Sequence, residues 1–267
     1  MNIYRFELKS LRKNTIIWTC SLFALAALYL SLYPSIAKDA TDFKNLLSGY
    51  PQAVRDMLGI QLDYISTLLG FYSMIFAFIL LGGSIQAMNL GLSMLSKESR
   101  ERTADFLLVK PISRTSITTY KLLASFTSLV FTNVVFFLAS FLLANAVKTE
   151  SLDFKLFLMV NVILLFIQII FFSLGLVISV FFKTLKNVLP LSLGVVFGLY
   201  MIGSLLATGD DADIVRYFSP FKYFDIIYII THGRYEISYL LTGLTVSVLS
   251  IAVSYIIYNK KDIHAVS

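Results

Sequence analysis

The side chains that most often carry chemistry are few in this sequence and lie far apart. There are two histidines, His232 and His264, and a single cysteine, Cys20, so no disulfide can form within the chain. The sequence contains no GxxxxGKS/T phosphate-binding loop, no HExxH or CxxC metal motif and no GxSxG nucleophile elbow. These absences predict a protein that is not catalytic alone and holds neither a metal nor a cofactor of its own.

Polar side chains within long apolar stretches are the other candidates for function. They are amides and hydroxyls rather than charges, and they include Gln86, Asn89, Asn133, Asn161, Gln168 and several Ser and Thr residues. Ion-coupled carriers usually place an ionisable group within the membrane, so a channel or an ion-coupled carrier is the weaker alternative. Gln86 and Asn89 are three residues apart, share a helix face and are the candidates for a substrate path. A hydrogen bond between helices of one subunit is the favoured interpretation of this pair.

Six stretches without Asp, Glu, Lys or Arg contain these amides. The chain is 57% hydrophobic and only 14% charged, whereas soluble domains carry about 25% charged residues. Every stretch exceeds the roughly 20 apolar residues that a helix needs to cross a bilayer. The predicted spans are about 15–35, 65–92, 122–146, 156–181, 187–207 and 238–258. The sequence therefore predicts an all-α integral membrane protein with one transmembrane domain over residues 1–267.

The segments between these spans alternate in charge. The more basic set comprises segments 1–13, 97–121, 183–186 and 260–267. This set holds 14 of the 22 Lys and Arg residues. By the positive-inside rule it faces the cytoplasm together with both termini. The two histidines would then lie on opposite sides of the membrane and could not share a metal ion.

Residues 1–13 have the pattern of an amphipathic helix. Tyr4, Leu8 and Leu11 fall on one face at spacing i, i+4, i+7. The opposite face carries the basic residues Arg5, Lys9, Arg12 and Lys13. Such a helix lies in the membrane interface with its charges near anionic headgroups, which predicts an interfacial (elbow) helix before the first span. The alternatives are a charge cluster that only sets the topology, or the basic region of a cleaved signal peptide.

Segment 210–236 is too apolar for a freely solvated loop. Ser219 and Pro220 have the types expected at an N-cap and first helical turn, and Gly233 is placed to end the helix. This pattern predicts a re-entrant or interfacial helix before the sixth span.

Gly194 and Gly198 form a GxxxG pattern in the fifth span, which permits close approach of another helix. Packing within the subunit is the favoured interpretation, and contact between subunits is the alternative.

The loop 97–114 between the second and third spans begins with charged residues and becomes apolar at Phe106, Leu107 and Leu108. Pro111 ends the predicted helix, and Ser113 or Thr115 would cap the next one. An apolar helix end at the cytoplasmic surface must be buried against the membrane surface, the protein's own helix ends or a soluble partner.

This loop resembles that of permease subunits of ATP-binding-cassette exporters of the second export class, which have the type V exporter fold. Their loop contains T-x-E-F-L-L-x-x-P-x-S-R after glutamates and a glycine, with a Lys following at the start of the third span. The positions that match are Glu98, Thr103, Asp105, Phe106, Leu107, Leu108, Pro111, Ser113 and Arg114, with Lys121 as the later lysine. Glu101, in the same charged part of the loop, is counted with these residues as a candidate for docking the ATPase subunit. Asp105 replaces the usual Glu, and Arg102 stands where the family usually has Gly. The segment S-P-F-K-Y-F at 219–224 is a second match.

The resemblance implies that the chain is half of a transporter. Two permeases, identical or homologous, would meet about a twofold axis that spans two and five flank. Each would dock a separate ATPase subunit through loop 97–114, called the coupling helix, and that partner would bind ATP and Mg²⁺. A non-transporting anchor or sensor for an ATPase would use the same loop and is the alternative from another functional class.

Apolar, aromatic-rich spans suit a hydrophobic or amphipathic substrate such as a peptide, drug or lipid. The expected setting is a bacterial cell membrane, with membrane lipids as partners and no nucleic acid.

Overall fold

Every regular element in the described part of the chain is helical. The structure is a computed structural model, and it describes residues 3–58, 60–101, 113–182, 185, 187–206 and 216–260. The helices are α1 (Ile3–Leu30), α2 (Tyr33–Lys38), α3 (Ala40–Ser48), α4 (Gln52–Met57), α5 (Leu68–Glu101), α6 (Arg114–Val147), α7 (Phe154–Phe181), α8 (Val188–Leu206), α9 (Ile226–His232) and α10 (Ile237–Lys260). Two 3₁₀ helices, Arg216–Phe218 and Pro220–Lys222, precede α9.

Five helical segments in the described residues are long and apolar enough to cross a membrane, and they correspond to α1 continued through α2, and to α5, α6, α7 and α10. The predicted fifth span, 187–207, corresponds to α8, which has 19 residues and is the shortest of the six. Such a helix rises about 28 Å, close to the roughly 30 Å of a hydrocarbon core. The all-α membrane architecture is therefore observed, while the sixth crossing rests on a helix of marginal length.

Helices α5 and α7 form the centre of the bundle. In the most apolar part of each helix, 67% of the residues of α5 and 61% of those of α7 are buried. The corresponding share is 28% for the segments that include α1 and α6 and 22% for α10. Where α5 and α7 cross, a Cβ added to Gly91 would lie 2.2 Å from the carbonyl oxygen of Phe172, and one added to Gly175 would lie 2.7 Å from that of Met88. Both obstacles are backbone atoms, so only glycine at these positions allows this crossing.

The N-terminal segment is not a separate interfacial helix. Residues 3–13 form the first turns of α1, which continues without interruption to Leu30. No Pro or Gly lies between Ile3 and Leu30 to end the helix. The predicted amphipathic pattern is present, but its apolar face packs against α6, where the Tyr4 hydroxyl lies 3.0 Å from Thr127 Oγ1.

The helix before the last span begins later than predicted. Ser219 makes no side-chain cap and instead donates from Oγ to the carbonyl oxygen of Leu199 at 2.8 Å. Asp225 caps α9, since its Oδ1 accepts hydrogen bonds from the backbone N–H groups of Ile227 and Tyr228. Gly233 ends the helix as predicted, with φ of 63° in the left-handed region that favours glycine.

The favoured interpretation of the GxxxG pattern is wrong. Among the residues that the structure describes, a Cβ added to Gly194 or Gly198 would meet no atom within 4 Å. The buried face of α8 instead carries Val188, Ser192 and Val196. The glycine face therefore points away from the rest of the subunit.

Candidate functional site

Loop 97–114 is held between the ends of two long helices. Helices α5 and α6 have 34 residues each, so each is about 51 Å long and exceeds the membrane core by some 20 Å. Glu98 and Glu101 lie in the last turn of α5, and Arg114 is the first residue of α6. The remaining predicted coupling residues, Thr103, Asp105, Phe106, Leu107, Leu108 and Pro111, lie outside the described residues.

The start of α6 has the cap that the sequence predicts. Ser113 is extended, with φ of −65° and ψ of 145°, and its Oγ accepts a hydrogen bond from the backbone N–H of Ser116 at 3.2 Å. This bond satisfies one of the free N–H groups at the helix start. The chain leaving loop 97–114 therefore enters α6 in a fixed direction.

Lys121 joins the two helices just inside their ends. Its side chain is buried, with 3% exposed, and its Nζ donates a hydrogen bond to the carbonyl oxygen of Met94 on α5 at 3.0 Å. The sequence marked Lys121 only as part of a motif. Its position next to the charge-free run from Leu122 onward was the available sign that a charge lies at the edge of the buried region.

The predicted basic face lies on the outside of α1. Arg5, Lys9, Arg12 and Lys13 are all exposed, whereas Glu7 and Thr15 on the opposite side are buried. A row of exposed cations over about two turns of helix suits contact with anionic headgroups.

Gln86 belongs to a chain of hydrogen bonds across four helices. Its Nε2 donates to Thr132 Oγ1 on α6 at 3.2 Å, and its Oε1 accepts from Gln168 Nε2 on α7 at 3.0 Å. Gln168 Oε1 in turn accepts from Asn133 Nδ2 on α6 at 2.6 Å. Thr19 of α1 completes the chain by donating to Thr132 at 3.1 Å. Gln86 thus has the interhelical role that was the favoured interpretation.

Helices α1 and α6 are joined by two hydroxyl pairs in one register. Thr15 bonds to Ser128, and Thr19 bonds to Thr132, with the same sequence separation of 113 residues. The sequence contains the matching spacing, four residues apart on each helix, but nothing in a single sequence tells which helix faces which. The two hydroxyl pairs, and with them Thr132 as a partner of Gln86, were therefore missed.

Asn89 lies outside this network. It is half-buried, and it has no hydrogen-bond partner among the described residues. A free amide at membrane depth is costly against lipid tails, so Asn89 remains the candidate for a surface that meets water, substrate or another subunit.

The other end of the molecule carries an ion pair that the sequence did not reveal. Arg216 donates from Nη1 to Glu236 Oε1 at 3.2 Å, from Nη2 to Glu236 Oε2 and from Nε to the carbonyl oxygen of Lys222 at 3.1 Å. Its guanidinium carbon lies 4.0 Å from the ring centre of Tyr239. Burial lowers the pKa of Arg216, but the bond to Glu236 and its charge outweigh burial, so the pKa is raised. This ion pair ties the segment before α9 to the start of α10.

Tyr235 anchors the same end to α7. Its hydroxyl donates to the carbonyl oxygen of Met159 at 2.8 Å, and burial raises the pKa of this phenol to about 12. Tyr235 therefore stays protonated and able to donate throughout the physiological pH range. Within the described residues, no group of three or more His, Cys, Asp or Glu is arranged to hold a metal ion.

Gln86 and Asn89 should respond differently to the same substitution. Gln86→Leu leaves the buried Gln168 Nε2 without its acceptor, which we expect to cost on the order of 1 kcal/mol. Asn89→Leu removes no hydrogen bond within the described residues and should leave the thermal midpoint close to that of the wild type. Thermal unfolding of the two purified variants in one detergent measures the difference. Equal destabilisation by both would show that Asn89 is also a structural residue.

Comparison with known proteins agrees with this layout. A family model described as "ABC-2 family transporter protein" matches residues 1–263, which is nearly the whole chain. No curated protein and no solved structure gives a significant match.

Proposed function

The chain belongs to the ABC-2 family of transporter permeases, and we propose that it is the membrane-spanning half of an ATP-driven exporter. The single observation that carries this proposal is the pair of 34-residue helices, α5 and α6, that end on either side of loop 97–114. In an ABC transporter permease, such a loop is the natural docking point for a separate ATPase subunit. The sequence supports a separate motor because it contains no phosphate-binding loop.

The proposed docking residues are those of the coupling motif. Phe106, Leu107 and Leu108 would insert into an apolar groove of the ATPase subunit, as clustered apolar anchors do at protein interfaces. Glu98, Glu101, Thr103, Asp105 and Arg114 would supply polar contacts around them, and Pro111 would end the docking helix. ATP and Mg²⁺ would be held by the ATPase subunit alone.

A second permease would pack against the glycine face of α8. In the described part of the chain, a Cβ at Gly194 or Gly198 would meet open space. Phe197 and Ile202, 42% and 43% exposed, flank this face. Small residues spaced by four let two helix backbones approach closely in lipid. This exposed face supports an assembly of two permeases, either two copies of this chain or this chain and a homologue.

The proposed orientation places both termini and loop 97–114 in the cytoplasm. The distribution of Lys and Arg supports it. Segment 38–63, with helices α3 and α4, and segment 210–236 would then lie outside the cell. The protein would be a multi-pass component of a bacterial cell membrane.

The proposed substrate is hydrophobic or amphipathic. The exposed faces of the spans are lined by large apolar side chains, and the polar groups within the six predicted spans are neutral. Asn89, half-buried and without a partner in the described residues, would face the path, whereas Gln86 holds the helices together. A non-transporting anchor or sensor for an ATPase is the second candidate, because it would use the same loop.

ATP hydrolysis by the purified complex tests the proposal. We expect the chain alone in proteoliposomes to show neither ATP hydrolysis nor solute movement driven by a proton gradient, because it has no nucleotide loop and no carboxylate within the six predicted spans. Its complex with an ABC-type ATPase should hydrolyse ATP. Hydrolysis by the chain alone, or gradient-driven transport, would contradict the assignment. Hydrolysis by the complex without movement of any hydrophobic solute tested would favour the anchor or sensor.

A further inference from the structure

The two helices that hold loop 97–114 belong to different packing pairs. Helix α5 packs mainly on α7, with their backbones in contact at Gly91 and Gly175. Helix α6 packs mainly on α1, where the Thr15–Ser128 and Thr19–Thr132 hydroxyl pairs join them. A force applied to the loop would therefore act on two helix pairs, α5–α7 and α1–α6. The two pairs contact each other less extensively than the helices within each pair do.

Among the described residues, Lys121 forms a hydrogen-bonded link between the pairs at the loop end. Its contact atom on α5 belongs to Met94, seven residues before Glu101, and Lys121 lies seven residues after Arg114. The Lys121–Met94 bond thus lies about 10 Å from both ends of the loop. Deeper in the membrane, the next α5–α6 hydrogen bond among the described residues is Gln86–Thr132, a further 12–16 Å or so along the helices.

A lysine at this position is unfavourable as a simple packing residue. Moving an ammonium group out of water is costly unless its hydrogen bonds are satisfied, and a Leu or Met would fill the same space without that cost. A charged donor forms a stronger bond to a carbonyl oxygen than a neutral donor does. The bond to Met94 also joins α5 and α6 at one defined axial position near the loop.

We propose that Lys121 is a positioning residue that holds the α5–α7 and α1–α6 pairs together directly beneath loop 97–114, so that a pull on the loop moves both pairs as one body. This inference rests on the proposed function, because the pull would come from the docked ATPase subunit. The tie itself is a property of the permease alone.

A distance measured between α6 and α7, one helix from each pair, tests whether Lys121 holds the pairs together. In a Cys20→Ser background, spin labels at Leu123 on α6 and Phe181 on α7 would occupy exposed positions, 50% and 67% accessible, near the same end of the bundle. Pulsed dipolar spectroscopy on the permease in nanodiscs should give one narrow distance distribution. With Lys121→Met the distribution should broaden or shift by about 2 Å or more, the scale of helix shifts in switching proteins.

Nucleotide then tests the transmission of force. The same labelled permease is bound to the ATPase subunit, and distances are measured without nucleotide and after trapping with ATP and orthovanadate. In the wild type we expect the Leu123–Phe181 distance to stay the same, because both pairs move together. In Lys121→Met we expect it to change on trapping, although vanadate trapping itself occurs to the same extent.

Two variants distinguish loss of the Lys121–Met94 hydrogen bond from a general loss of stability. Lys121→Arg keeps a charged donor and should restore the wild-type distances, whereas Lys155→Met makes the same substitution at an exposed lysine and should change nothing. If Lys121→Met does not accumulate, Lys121→Gln, which shortens the side chain and removes the charge, should show the same broadening. Wild-type distances in Lys121→Met or Lys121→Gln, with and without nucleotide, would overturn the inference. That result would leave the docking of the ATPase subunit intact, since docking is tested independently at Leu107.

Discussion

Leu107→Asp is expected to abolish binding of the ATPase subunit while the permease remains inserted in the membrane. Leu107 is the middle residue of the apolar cluster Phe106–Leu108 that follows the charged part of loop 97–114. A carboxylate placed in an apolar groove loses its water without gaining a partner. Loss of a central anchor of this kind costs 2 kcal/mol or more, roughly a 30-fold fall in affinity.

Co-purification through a tag on the permease measures this effect. The matched control is Phe182→Asp, which places a carboxylate at an exposed aromatic residue beside the other short turn predicted to be cytoplasmic. Phe182→Asp should retain the ATPase subunit. An equal yield of complex from Leu107→Asp and Phe182→Asp would contradict the docking role of the loop. Equal loss from both would show that any added charge on this side disturbs the complex.

Helix positions and caps could be predicted from the sequence because they depend on local chemistry. Stretches without charge must avoid water, and the five long helices and α8 lie within the predicted stretches or extend them. Ser113 caps α6 because a hydroxyl at that position bonds to an N–H three residues on, whatever the distant structure. The cap of α9 was misplaced because both Ser219 and Asp225 have suitable types, and the Ser219 hydroxyl found a partner on α8 instead.

Contacts between helices could not be predicted in the same way. The amphipathic pattern of residues 1–13 describes a helix with one apolar face, and that face suits a neighbouring helix as well as a membrane surface. Gln86 and Asn89 share a helix face by spacing, yet Gln86 meets Thr132 and Gln168 while Asn89 meets no described partner. The step of three positions from Gln86 to Asn89 leaves their side chains about 60° apart around the helix axis, which is enough to place one inside a packed interface and the other at its edge.

The double substitution Gly194→Leu with Gly198→Leu should separate two permeases without unfolding either. A Cβ at each position meets no atom of the described residues within 4 Å, so we expect the monomer to accommodate the leucines. Between two subunits the same leucines would force the α8 backbones apart and remove the close packing that drives association in lipid. We expect association to weaken at least tenfold, which corresponds to about 1.4 kcal/mol.

Mass measurement of detergent-solubilised permease over a range of concentrations, together with thermal unfolding, distinguishes the two effects. Ala252→Leu is the matched control, because it adds the same bulk to an exposed small residue on α10. We expect neither variant to unfold at a lower temperature than the wild type, and only the glycine variant to be monomeric. Because leucine favours helix over glycine by up to about 1 kcal/mol, we expect the thermal midpoint of the glycine variant to equal or slightly exceed that of the wild type. A dimer of unchanged affinity would place the contact between permeases on a face other than α8. A loss of thermal stability would instead show that another part of the same subunit covers these glycines.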